Sequence, residues 1–290
     1  MELKKVTDDI FYIEDPTNIP IIILNNEIFI IDAGIDKDKG KKIRKVLESN
    51  SLKPNYLILS HHHADHTGGA KYLKDYFELK TISSKAEKVF IEHPMLEPIY
   101  LSEGAAPMNE FLGKWTMAEE VSVDFTTDDF NDRDFEFLDL KGHSLGMLGI
   151  RKDRFIFASD SFFSKEIVDK HIVPYFHNFD DFVFHLEELK NLDYDFILPS
   201  HGTLYTKEEA IDTINYNLKR VKDTEEAVKT AIKKPKTISQ IMETLNLALN
   251  EVVVFTLIES SVKSILHSLI NKGSTRAFVE KGNLYYSSNE

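Results

Sequence analysis

One segment constrains this chain more than any other: Ser60-His61-His62-His63-Ala64-Asp65-His66-Thr67-Gly68-Gly69. It follows the apolar run Tyr56-Leu57-Ile58-Leu59, which reads as a buried strand. Four histidines and an aspartate within six residues have no ordinary packing purpose. In an extended segment side chains alternate, so His61 and His63 share one face and His62 points away. Asp65 and His66 then fall in the turn before a helix. Imidazoles and a carboxylate at a strand end form a rigidly supported set of ligands for Zn²⁺ or a similar cation. An expression tag would sit at a terminus and lack the Asp, Thr and Gly-Gly.

Three later segments share this anatomy, each with a ligand-type residue just past an apolar run. They are Gly142-His143-Ser144, Ser159-Asp160-Ser161 and Ser200-His201-Gly202. Any one alone reads as a cap or a satisfied polar contact. Their occurrence together, in chain order after the first cluster, points to one metal centre.

The surrounding pattern is layered. Short β-branched or aromatic runs at 10–13, 21–24 and 28–31 read as strands, with Asn25-Asn26-Glu27 as a hairpin turn. Further strands are expected at 121–125, 135–140, 148–151, 155–158 and 196–198. Helices are expected at 36–49, 70–77 and 180–191. Beyond Gly202 the chain reads as a helix to about 234, two more helices (238–245 and 252–271), then a hairpin around Lys281-Gly282-Asn283. Alternating strands and helices in two halves predict an α/β or α+β layered domain over 1–205, followed by a helical appendage over 206–290.

With no cysteine, the chain has neither thiolate ligand nor disulfide. The net charge of −13 disfavours a broad phosphate-binding surface. Residues 231–290 carry seven Lys or Arg against five Glu, a mild basic bias well short of a DNA-reading face. No apolar run spans a bilayer, and the polar N-terminus does not read as a signal peptide, so a cytoplasmic protein without a membrane partner is the expectation.

The order His-x-His-x-Asp-His, Gly-His, Ser-Asp, Ser-His-Gly resembles the metallo-β-lactamase-fold hydrolase superfamily over residues 1–205. It is most similar to the glyoxalase II-like branch, where an aspartate (here Asp160) stands in place of cysteine. Residues 206–290 resemble the winged-helix tail of some β-lactamase-like hydrolases. The resemblance implies an αββα sandwich with the metal centre at one edge. It implies that His61, His63 and His143 bind one cation and that Asp65, His66 and His201 bind a second. Asp160 would bridge the two, and Asp32, in Ile31-Asp32-Ala33-Gly34, would orient the ligand loop. Two divalent cations are implied, zinc first, with manganese or iron as alternatives.

The implied chemistry is attack by a bridged hydroxide on a small ester-like substrate, a thioester or lactone, with Asp65 orienting the nucleophile. Competing readings are a phosphodiesterase or RNase guided by the tail, a mononuclear-iron oxygenase of the persulfide dioxygenase kind, and a ligand-sensing nucleic-acid regulator. Residues 90–117, rich in Phe90, Tyr100, Phe111 and Trp115, read as a helical flap over the site, or else as packed core or a homodimer contact. Tyr175, His177 and Trp115 are the candidate substrate contacts, with Asn178 as a helix cap.

Overall fold

The structure, a computed structural model, describes residues 1–130, 134–171, 173–247 and 249–289. A first sheet forms from β1 (Glu2–Lys5), β2 (Ile10–Glu14), β3 (Ile19–Leu24), β4 (Glu27–Ile31), β5 (Tyr56–Ile58), β6 (Lys80–Ser83) and β7 (Phe125–Thr126), paired in chain order. The first four strands pair antiparallel. Asn25 and Asn26 turn the β3–β4 hairpin, both at positive φ, as the twist of a tight hairpin requires. From β4 onward the pairing is parallel, because α1 (Lys37–Ser49), then α2 (Ala64–Thr67) with α3 (Ala70–Phe77), then α4 (Lys85–Glu92) with α5 (Leu96–Leu101), fill the crossovers.

A second sheet has the order β12-β11-β10-β9-β8, with β8 at Glu136–Asp139, β9 at Leu148–Lys152, β10 at Phe155–Ser159, β11 at Phe196–Pro199 and β12 at Tyr205–Thr206. Only β10 and β11 run parallel, joined through α6 (Lys165–His171) and α7 (Phe179–Asn191). The chain ends with α8 (Lys207–Ala231), α9 (Ile238–Leu245), α10 (Val252–Asn271) and the hairpin β13 (Thr275–Glu280)–β14 (Asn283–Ser288).

Period-two alternation builds the layers. Phe29, Ile31, Ile58 and Ile82 face Ile150, Phe157 and Leu198 across the sandwich interior. On the other face of the first sheet, Ile30 and Leu57 pack on Ile43, Leu47 and Leu73 of α1 and α3. On the outer face of the second sheet, Ile156 and Ile197 pack on Phe182, Leu186 and Ile214 of α7 and α8. The result is the expected αββα sandwich. The outer core runs on without a break into Ile258, Val262, Ile265 and Leu266 of α10. That helix has the length and apolarity of a membrane span; Ile258, Val262, Ile265, Leu266 and Leu269 are buried against protein, while Val252 and Phe255 near its start are exposed.

The sequence expectation overshoots at 121–125. Val121 and Val123 are buried, but only Phe125 and Thr126 pair as a strand there. The sequence pattern does not mark β1, β6, β12, α4 or α6.

Candidate metal centre

Parallel pairing of β4 with β5, and of β10 with β11, brings the C-terminal ends of those strands to one edge of the sandwich. The ligand-type residues follow directly: Asp32 after β4, His61 to His66 after β5, Asp160 after β10 and His201 after β11. His143 comes from the loop joining β8 and β9. The loop after β5 lies flat on its neighbours because residues 68 and 69 lack side chains. A Cβ on Gly68 would sit 2.0 Å from the Ile35 carbonyl oxygen, and one on Gly69 would sit 2.3 Å from that of Ala33.

Two triads result. Nε2 of His61 and Nε2 of His143 stand 3.0 Å and 2.9 Å from Nδ1 of His63. Nε2 of His66 and of His201 stand 3.5 Å and 3.1 Å from Oδ2 of Asp65. Asp160 lies between them. Its Oδ2 is 3.5 Å from His143 Nε2 and 3.4 Å from His201 Nε2, and its Oδ1 is 3.4 Å from His66 Nε2. All seven expected ligands therefore converge.

The backs of the imidazoles are held. Asp32 is fully buried and at positive φ. It accepts from Ser60 N–H and Ser60 Oγ, and its Oδ2 pairs with His66 Nδ1 at 2.8 Å. His143 Nδ1 donates to the Tyr175 carbonyl at 3.0 Å and His201 Nδ1 to the Pro16 carbonyl at 2.6 Å. Such contacts fix the tautomer and leave the opposite nitrogen free to ligate.

Electrostatics separates the triads. Burial and the neighbouring imidazoles hold His61 and His63 well below the usual histidine range, and burial lowers His143. These three are neutral, the form that binds a cation. Burial opposes charge on His66 and His201 too, but there the carboxylates prevail. Asp65, Asp160 and Asp32 drive His66 well above its ordinary value, and Asp160 with Asp65 pushes His201 up to about 10. Despite their own burial, Asp160 and Asp65 are held low by His201 and His66.

The residues fit a metal. His66 Nε2 and Asp160 Oδ1 are buried with no hydrogen-bond partner among the described residues, though they face each other in the cluster. Buried polar atoms are ordinarily satisfied. Among the described residues, four groupings of potential ligand atoms each fall within 4.8 Å: His61-His63-His143, His61-His66-Asp160, Asp65-His66-His201 and His62-His63-Glu97. Imidazole and carboxylate donors suit zinc, manganese or iron.

Of the candidate substrate contacts, Tyr175 sits at the cluster, its ring centroid 5.7 Å from that of His63 and 5.4 Å from that of His143. His177 is close by, its Nδ1 2.5 Å from Tyr100 Oη, and its N–H donates to the His143 carbonyl. Asn178 caps α7 as well. Trp115 is not brought in: it is 72% exposed and its ring meets the Lys114 ammonium. Segment 90–117 reaches the site through the Phe90 ring, stacked on His62 with centroids 4.3 Å apart, and through polar Glu97 and Tyr100.

Sequence reasoning missed the partners of His62. That ring does point away from the triads, into a buried clamp between Glu87 (Nδ1, 2.5 Å) and Glu97 (Nε2, 2.9 Å). Burial opposes charge on both His62 and Glu87. Their mutual attraction overrides it, with His62 raised to about 10 and Glu87 lowered to about 2.

Known proteins share this fold. Solved structures of a beta-lactamase domain protein from Burkholderia ambifaria and a metallo-beta-lactamase family protein from Thermus thermophilus superpose with TM-scores of 0.74 and 0.70, each at 14% identity. They cover 99% and 97% of this chain and 93% and 98% of their own, so the shared fold includes the C-terminal helices. In sequence, a hydroxyacylglutathione hydrolase of Nitrosomonas europaea is 25% identical over 145 residues, half of this chain and 45% of that protein. A probable metallo-hydrolase of Bacillus subtilis is 25% identical over 99 residues, 31% of this chain and 44% of that one. The chain thus spans less than half the length of these curated relatives. The sequence profile of the metallo-beta-lactamase superfamily matches residues 12–201, most of the chain and every residue of both triads, and the protein belongs to that superfamily.

Proposed function

We propose that this protein is a hydrolase of small ester-like substrates, a thioester or a lactone, that works with two divalent cations. The observation that carries this reading is Asp160, whose carboxylate lies within 3.5 Å of imidazoles from both triads. His61, His63 and His143 would hold one cation, Asp65, His66 and His201 the other, and Asp160 would touch both. When bound, such cations supply Lewis acidity and a water whose pKa falls towards about 7.

The chain's own residues supply orientation and charge. Asp65 has the more exposed of the two carboxylates and is steadied by Thr17 Oγ1 at 3.3 Å, which places it to orient the attacking water. The Tyr175 and Phe163 rings stand over the histidines and shield the cluster from bulk solvent. The name hydroxyacylglutathione hydrolase, carried by relatives from Nitrosomonas europaea and Klebsiella pneumoniae, supports an acyl substrate. The net charge of −13 weighs against a polyanionic one. We assign the C-terminal region a supporting role beside the site, since α10 is bonded to the segment that carries Tyr175.

Elemental analysis of the purified protein, run beside a panel of thioesters, lactones and phosphodiesters, tests the proposal. Two equivalents of zinc or manganese with thioester or lactone turnover are expected, and His63→Ala and Asp160→Ala should lose metal and turnover together. One equivalent of iron with oxygen consumption, or turnover confined to phosphodiesters, would replace this reading.

A further inference from the structure

Glu87 belongs to none of the ligand motifs and lies in α4, yet it is completely buried. Its carboxylate is fully engaged. Oε2 accepts from the His62 backbone N–H at 2.9 Å and pairs with His62 Nδ1 at 2.5 Å. Oε1 accepts from Ser144 Oγ and from the Gly146 N–H, both at 2.7 Å. A buried carboxylate is tolerated only with this degree of satisfaction, and charge-assisted bonds of this kind are short and strong.

The partners are what matter. His62 is flanked by His61 and His63, and Ser144 follows His143. One carboxylate therefore joins the two loops that supply every member of the first triad. The joint is close-packed as well. A Cβ on Gly146 would meet Ser84 Oγ at 2.6 Å and the Ala86 Cβ at 2.8 Å, so the His143 loop lies directly on the start of α4. His62 extends the link, its Nε2 reaching Glu97 of α5. The second triad is anchored elsewhere: His66 by Asp32 and His201 by the Pro16 carbonyl.

We propose that Glu87, acting through His62 and Ser144, is a positioning residue that sets the affinity of the His61–His63–His143 triad for a divalent cation, with little influence on the Asp65–His66–His201 triad. This rests on the two-cation reading above. A residue that merely held the fold together would weaken both triads alike, so selectivity is the diagnostic.

The experiment is a stepwise Zn²⁺ titration of the full chain against a chromophoric chelator, with His143→Ala and His201→Ala as references that identify each step. Glu87→Gln keeps the shape but turns an amide N–H towards either the His62 donors or those of Ser144 and Gly146. It should weaken the first-triad step 10–100-fold and leave the other within about threefold, the scale seen when a ligand's supporting contact is lost. Ser144→Ala, which removes one donor, should weaken the same step by less, and it carries the test if Glu87→Gln shows no cooperative melt. Equal weakening of both steps, or of neither, overturns the proposal. A wild-type protein that takes up no Zn²⁺ would instead overturn the two-cation reading itself.

Discussion

His143 Nδ1 donates to the carbonyl of Tyr175 at 3.0 Å, and that carbonyl belongs to a segment held by the far end of the chain. Ser261 of α10 accepts from the Phe176 N–H at 3.1 Å and donates to the Pro174 carbonyl at 3.3 Å. Ser264 accepts from the Phe179 N–H at 2.8 Å. The orientation of a candidate ligand thus depends on a helix more than a hundred residues downstream. Ser261→Ala leaves the buried Phe176 N–H without its acceptor, which costs about 1–3 kcal/mol. Denaturant unfolding should register that loss, and metal titration should show a weaker first triad. Unchanged stability and affinity in a Ser261→Ala, Ser264→Ala double variant would mean that α10 does not support the site.

Asp32 offers a sharper case, because its acceptor oxygens serve both the loop backbone and a ligand ring. In Asp32→Asn one oxygen becomes an N–H donor facing either Ser60 or His66 Nδ1. Metal affinity should fall by about 10–100-fold, concentrated in the triad that contains His66. Equilibrium dialysis of the variant checks this, and an affinity equal to wild type would show that His66 needs no such orienter.

Why the ligands were legible in the sequence and Glu87 was not has a physical answer. The seven ligands each follow an apolar strand run, and a strand end is where a rigid sandwich presents polar groups; Asp32 also ends a strand, but its role is implied by the family resemblance, since position alone reads equally as a turn cap. Glu87 sits in Lys85-Ala86-Glu87-Lys88, where the charged residues around it give no sign of burial. Its burial is created by Ser144 and Gly146, 57 and 59 residues away, and no local pattern reports that. The 121–125 expectation failed for a related reason: alternation reports which side chains are buried, not which backbones pair. Val121 and Val123 alternate inward, yet the Asp124 backbone N–H and carboxylate bond to Thr81 before β7 begins. β6 was hidden because Lys80-Thr81-Ile82-Ser83 carries a single strongly apolar residue.

Cation binding should expel protons from one triad and not the other. His66 is raised well above its ordinary value and His201 to about 10, so at pH 7 both carry protons that a cation must displace. His61, His63 and His143 are lowered and already neutral. Affinity of the second triad should therefore rise with pH from neutrality towards about 10, while that of the first stays level. Calorimetry at pH 7 in buffers of differing ionisation enthalpy reads the proton count directly. Release tied to the first-triad step would reverse the assignment.

The His62 clamp predicts an alkaline loss of stability. His62 has an ordinary pKa of 6.5 and is raised to about 10 in the fold, because Glu87 and Glu97 outweigh the effect of burial. A raised cation contributes fully below its unfolded pKa, and that contribution fades as pH climbs through the folded one. Other groups titrate over the same range, so the informative quantity is a difference. Wild type minus His62→Gln, both stripped of metal by chelator, should show a melting-temperature gap that is largest near pH 6 and narrows steadily towards pH 10. Gln can donate a hydrogen bond but no charge, so a gap that stays constant over this range would assign the stability of the clamp to packing alone.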